Sequence, residues 1–541
     1  MIAQDHRPPV LPVIIYYTVS PVHVRNVQLL KPHLEGWTVR IAYETASPWL
    51  HQGSAGELEM VGFAPNDLPE VMWRGEVGAV VFSAIQPRPG PIALLAAALE
   101  KGIPTVAIEE SNQIALNQGR INNYVLPVDR VLTASEYERR GMVEAGLPER
   151  RFEAVGWPFY GGRTGEVADE EKKSNKEALG LDPGRPVAAL TLTGLHDAGE
   201  SPAVRRRQLL LAAEGLPEEY QLVIKPHPIE RSETLMPFVE ECAPSAVALK
   251  GTTPVEDLLI AADVLLNRGA SQVCFEALLL KIPVVVLDTG IWTPFHAVEM
   301  RVAKDSEALR RIVGELEGDE DRLVPYDEFF RQHLPLTPDR AQVAVGARIA
   351  EIAAGVERDA NGEEQILELA LYQAWAGDQA GAHRQLDRLG KGASDLPADA
   401  LRRLCGSEAG LGDLEALKAH FGSGFHAHLL RSLWIDQLVA EKRSPTVEDR
   451  QWLEGFPPDL QPVWFMGRVR SWVFLLARSG MGEEARNRAD KMARDYEHVP
   501  GSAKLKRDVH RYLKGFFGRW RVAAEERAVA LLGWIRDRVR A

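Results

Sequence analysis

Short β-branched, apolar runs alternate with helix-patterned segments twice over in this sequence, and a polar stretch separates the two series. Val13 to Tyr17, Thr38 to Tyr43, Ala79 to Phe82, Thr105 to Ile108 and Val131 to Thr133 read as strands. The clearest helix between them runs from Pro91 to Lys101, with proline in its first turn and Gly102 and Pro104 behind it. Such alternation dictates a parallel sheet covered by helices on both faces. Gly161 to Lys176, with glycines and a charge cluster, reads as a linker. The pattern then resumes at Val187 to Leu192, Leu222 to Ile224, Ala246 to Leu249, Val264 to Leu266 and Val284 to Leu287. Two doubly wound α/β domains in tandem are expected, facing a cleft at the carboxyl ends of their strands.

After about residue 355 the strand signals stop, and Ala, Leu, Arg and Glu at helical spacing dominate. The expected division is therefore 1–165 (Rossmann-like), 177–355 (Rossmann-like) and 356–541 (all α). A chain of 541 residues needs several cores, which agrees with this division. Ala370 to Leu389 and Val473 to Tyr496 each read as helix, glycine-containing turn and helix, and resemble tetratricopeptide hairpins. A plain helical bundle accounts for the same pattern.

Apolar runs such as Ile282 to Leu287 fall far short of the roughly 20 residues that a membrane-spanning helix needs. The first ten residues lack a basic-then-apolar signal pattern, and the 3 cysteines form neither a disulfide framework nor a zinc spacing. A reducing, cytoplasmic setting is expected. The net charge of -13 argues against nucleic acid as a partner. The last segment differs, because Phe516, Phe517, Trp520 and Trp534 interleave there with Arg519, Arg521, Arg527 and Arg536. Either this segment lies on an anionic membrane at its inner face, or its aromatics pack on the helical domain with the arginines in water.

Several segments carry chemistry. Val223 to Pro228 is a buried strand that ends in Lys225 and His227 on a proline-stiffened turn, which aims a cation and an imidazole at a phosphate leaving group. The same turn also serves simply to end the strand. Ala262 to Val284 reads as strand, glycine turn, helix and strand; Ser271 and Gln272 open the helix, whose free amides suit a phosphate, and Glu276 lies one turn on, placed for ribose hydroxyls. Thr191 to Glu200 offers Gly194 for close backbone approach, with His196 and Asp197 beside it as catalytic candidates. In the first half, Glu109 and Glu110 follow a strand, and Glu110 is the expected base toward an acceptor hydroxyl. His23 and Arg25 stand near the same face.

At Lys225 to Pro228 and Ser271 to Val284 the chain resembles the GT-B glycosyltransferase superfamily. The likeness is to capsule and teichoic-acid polymer transferases and, more distantly, to UDP-N-acetylglucosamine 2-epimerases. It covers residues 10 to 355. It implies donor-phosphate roles for Lys225, His227, Ser271 and Gln272, and a ribose role for Glu276. The transferases commonly carry an aspartate and paired serines where this chain has Asn267, Arg268, Gly269, Ala270 and Ser271. The epimerases' Arg-Pro-Glu after the first strand is replaced by Val19, Ser20 and Pro21.

The expected activity is transfer of a sugar, or a related polyol phosphate, from a nucleotide-activated donor to a hydroxyl on a glycan, lipid-linked or protein acceptor. No cofactor and no metal are expected. The alternatives are a nucleotide-sugar 2-epimerase and a non-catalytic scaffold that recruits a protein partner through its helical domain.

Overall fold

The computed structural model describes residues 11–18, 21–45, 58–83, 89–108, 126–144, 147–193, 202–228, 230, 232–268, 271–288, 301–316, 323–355, 362–389, 396–405, 410–422, 424–454, 456, 462–495 and 502–514. The first series of strands is β1 (Val13–Thr18), β2 (Thr38–Glu44), β3 (Glu59–Phe63), β4 (Val77–Phe82), β5 (Thr105–Ile108), β6 (Arg130–Thr133) and β7 (Phe152–Ala154). Helices α1 (Pro21–Leu30), α2 (Pro89–Glu100) and α3 (Glu136–Glu144) lie between them in the chain. The strands form one sheet in the order β3-β2-β1-β4-β5-β6-β7, and every pairing is parallel. β1, β5 and β6 are buried along their whole length, as the continuous apolar runs of a helix-covered parallel sheet require.

The second series is β8 (Val187–Thr191), β9 (Gln221–Lys225), β10 (Val247–Ala248), β11 (Val264–Asn267), β12 (Val284–Leu287) and β13 (Val302–Ala303). Its parallel sheet runs β10-β9-β8-β11-β12-β13, the same winding as the first. Its helices are α4 (Asp169–Ala178), α5 (Pro202–Gly215), α6 (Ser232–Cys242), α7 (Val255–Ala261), α8 (Val273–Leu279) and α9 (Ser306–Leu316). Part of the stretch read as a linker is thus the helix α4. Its first turn carries Asp169, Glu170 and Glu171, which suit the positive end of a helix dipole. Lys172 and Lys176 tie α4 to Asp263 at 3.2 and 3.0 Å, and Asp263 also accepts from the Val187 amide at the start of β8.

Two further helices, α10 (Val324–His333) and α11 (Pro338–Ala353), return to the first domain although they follow the second sheet in the chain. Gln342 on α11 donates to the carbonyls of Pro158 and Tyr160 at 3.1 and 2.9 Å, and Arg348 grips Glu153 with two bonds of 2.6 and 2.7 Å. Small residues allow the approach. A Cβ on Gly346 would lie 2.5 Å from that of His33, and one on Gly156, whose φ of +107° already favours glycine, would lie 2.7 Å from that of Ala341. On α10, Phe329 stacks on Phe275 of α8 at 5.3 Å, while His333 meets Tyr137 of α3 at 4.6 Å. Burial drives the His333 imidazole down to about 4, so it sits neutral in this aromatic seam.

From residue 362 onward the described elements are all helices: α12 (Gly362–Ala376), α13 (Gln379–Arg388), α14 (Leu396–Cys405), α15 (Leu411–Phe421), α16 (Gly424–Ala440), α17 (Val447–Trp452), α18 (Pro462–Arg478), α19 (Gly482–Asp495) and α20 (Ser502–Leu513). The two expected hairpins are α12–α13 and α18–α19, and each turns through a glycine at positive φ, Gly377 at 87° and Gly480 at 83°. The chain divides into two compact units. One comprises both sheets and α12 to α14, and the other is built chiefly of the helices from α15 onward. In the first unit, Arg151 pairs with Glu368 of α12 at 2.8 Å, both side chains being buried. Among the described residues no helix is long and apolar enough to cross a membrane.

Candidate functional site

A doubly wound parallel sheet opens a ligand crevice at the carboxyl ends of its strands, where the winding reverses. In the second sheet that point lies between β8 and β11. Thr191 ends β8 and Asn267 ends β11, both buried. The Asn267 amide donates to the Thr191 hydroxyl at 2.8 Å and to its carbonyl at 3.2 Å. This pair pins the two strand ends together and occupies the amide, so the next residue, Arg268, is the charged group at the switch point. Arg268 is only 3% exposed. Its position was legible as a departure from the transferase pattern, but nothing in the sequence marked it as a buried cation.

Lys225 ends the neighbouring strand β9 and is also buried, at 5% exposure. Its ammonium donates to the carbonyl of Gly251 at 3.0 Å and to that of Pro226 at 3.4 Å. Burial lowers its pKa, since little water is left to solvate the charge. Lys225 therefore fixes the turn that carries His227, and two of its three donors point at backbone oxygens. His227 is half-buried on that turn, and its carbonyl accepts from the Glu230 amide at 2.9 Å.

Ser271 and Gln272 form the turn that opens α8, with the Cys274 amide donating to the Ser271 carbonyl at 3.1 Å and the Phe275 amide to that of Gln272 at 2.8 Å. One turn on, Glu276 has its pKa pushed up to about 7, first by burial; the Arg25 charge opposes the rise and the Glu256 carboxylate adds to it. Tyr160, which precedes α4, belongs to the same cluster. Its hydroxyl donates to the Arg163 carbonyl at 2.7 Å. Its pKa is raised by burial and then by Glu256 and Glu276, against Arg25 and Arg163. The packing leaves no slack, because a Cβ on Gly162 would lie 2.7 Å from both the Glu256 carboxylate and the Tyr160 hydroxyl.

The structure thus brings together Glu276 of the second domain and Arg25 of the first, two residues singled out from sequence, and adds Glu256 and Tyr160, which were not. Their apposition depends on α7, α8 and the segment after β7 meeting in space, and no local motif announces it. His23 falls in the first turn of α1. Glu110, Gly194, His196 and Asp197 lie outside the described residues.

At the first sheet the switch point lies between β1 and β4. Thr18 and Ser83 stand there, buried and uncharged, and the Ser83 amide donates to the Tyr17 carbonyl at 3.2 Å. The Tyr17 hydroxyl donates at 2.7 Å to Glu44, at the end of β2.

No protein-family model matches this chain, and no curated protein sequence does. Among solved structures, a putative UDP-N-acetylglucosamine 2-epimerase from Listeria monocytogenes is similar at 12% identity and a TM-score of 0.47, over 65% of this chain and 98% of that one. The wall teichoic acid polymerase TagF is similar at 13% identity and a TM-score of 0.45, over 64% and 90%. HepE from Anabaena, solved with UDP and glucose, is similar at 11% identity and a TM-score of 0.40, over 64% and 98%.

Proposed function

We propose that this chain is a nucleotide-sugar-dependent glycosyltransferase acting on a hydroxyl acceptor. The reading rests on two buried cations, Lys225 and Arg268, standing at the carboxyl ends of β9 and β11 beside the switch point of the second sheet. A nucleoside diphosphate gains negative charge on its oxygens as its bond to the sugar breaks, and fixed cations in a desolvated crevice stabilise that charge most. In the proposed step the acceptor oxygen bonds to the anomeric carbon while the bond from that carbon to the phosphate oxygen breaks. The electron pair leaves with the diphosphate, and the acceptor's proton passes to a carboxylate, for which Glu110 is the proposed base. His227, Ser271 and Gln272 are assigned to the phosphates and Glu276 to the ribose, with Gly194, His196 and Asp197 on the same donor side.

Incubation with UDP-, CDP- and GDP-sugars, with and without a hydroxyl acceptor, tests this reading. Acceptor-dependent release of one nucleotide, abolished in Lys225→Ala, is the expected result. Because protein cations meet the phosphates, turnover is expected to persist in EDTA. Isomerised donor in the absence of acceptor would reassign the chain to the epimerases, and a failure to bind any nucleotide would favour the scaffold.

A further inference from the structure

The helical unit holds a cavity of about 550 Å³ between α16, the turn after it and α18. Four cations line it, Lys442, Arg443, Arg470 and Arg478, together with the hydroxyls of Ser444, Ser471 and Ser479. No carboxylate is among its lining residues. Two of these cations are held by acids that lie outside the lining. Buried Asp449 holds Arg443 at 2.7 Å, and buried Asp508 holds Arg470 at 3.0 Å. Each carboxylate fixes its guanidinium in place at the cavity wall. The Arg443 Nε is buried with no hydrogen-bond partner among the described residues, a cost that a bound acceptor atom would remove. Lys442 is held at a φ of +53°, left-handed backbone that a lysine rarely adopts. One wall is apolar, formed by Val439, Phe474 and Leu475, with the Arg470 guanidinium 5.2 Å from the Phe474 ring centroid.

We infer that this cavity binds the phosphate or diphosphate group of a ligand whose remaining body packs on Val439, Phe474 and Leu475. Four cations, two of them fixed by carboxylates, and three hydroxyls match the negative charge and the acceptor oxygens of such a group, and the volume falls in the range of small-ligand sites. The site is built from α16 to α20 alone and stands independently of the transferase reading.

The test is calorimetric titration of the full chain with inorganic pyrophosphate and, separately, with geranyl diphosphate, compared with Lys442→Gln/Arg478→Gln and with Lys225→Ala. Lys442 and Arg478 are exposed, so the double variant is expected to keep the wild-type melting temperature. Binding that weakens about tenfold or more in the double variant, and persists in Lys225→Ala, supports the site and separates it from the crevice of the second sheet. Tighter binding of geranyl diphosphate than of pyrophosphate supports packing of an apolar body on that wall, whereas equal binding overturns the apolar half of the inference and leaves a site for free phosphates. No heat with either probe, or binding unchanged in the double variant, overturns the inference.

Discussion

The two sheets are wound alike and differ in what stands at their carboxyl ends. Across the first, the described residues are neutral or acidic: Thr18, Ser83 and Glu44. At the second, Thr191, Lys225, Asn267 and the adjoining Arg268 are buried around the switch point, with half-buried Asp288 farther out after β12. Winding alone provides a crevice in each, so chemistry is assigned by the residues at and just after the strand ends beside the switch point. A cationic crevice suits the departing diphosphate, and a neutral or acidic one suits a hydroxyl that must lose a proton.

The largest effect that would sharpen this contrast is expected at Lys225. Lys225→Met should lower turnover by about 10²- to 10³-fold, the loss typical of removing one charge-stabilising donor, and should abolish the rise in melting temperature given by the cognate nucleotide. If the melting temperature falls while turnover per folded molecule holds, Lys225 serves only the Gly251 and Pro226 carbonyls, and the contrast between the sheets breaks at that residue.

Next comes Asn267→Leu, which strips the Thr191 hydroxyl of its donor inside the second crevice. A loss of about 1–3 kcal/mol in denaturant unfolding is expected for a buried group left unsatisfied. A smaller loss would mean that β8 and β11 hold their register without the side-chain bridge.

Glu276 offers a pH handle. Its folded pKa of about 7 lies above the ordinary 4.5, so the folded state holds the proton more tightly than the unfolded chain does. Its contribution to stability is therefore fully present below about 4.5 and is lost as pH rises through about 7. Glu276→Gln should remove that slope, so the difference in melting temperature between variant and wild type should grow across this interval and level off above it. A flat difference would mean that the carboxyl is solvated as an ordinary glutamate.

The smallest effect is expected in the first sheet. Tyr17→Phe loses the bond to Glu44 and should cost about 0.5–1.5 kcal/mol, with nucleotide affinity unchanged. A change in nucleotide affinity would place the first crevice on the donor side and invert the comparison.

Most of the two-sheet architecture was legible because buried parallel strands are continuous β-branched runs, as in Val284 to Leu287. β3 escaped notice as an edge strand carrying Gly62, and β7 and β13 are too short to leave a periodic signal. The turn bearing Lys225 and His227 was visible, since a strand ending in a charged residue before prolines is a local pattern. That the Lys225 ammonium reaches the Gly251 carbonyl, 26 positions away, was not. Arg25, Glu256 and Glu276 lie on three different helices, α1, α7 and α8, and only their packing makes them neighbours. The return of α10 and α11 to the first domain was equally hidden, because their sequences state which face is apolar and not which sheet will cover it.

That return makes the connection between the α/β domains double. The chain crosses once through the segment after β7 and comes back through α10 and α11, of which α11 is held to the first domain by Gln342 and Arg348. Two crossings act like two pins on one door. A single cut in either strap therefore leaves the two domains joined by the other, and by the hydrophobic cluster that runs through both.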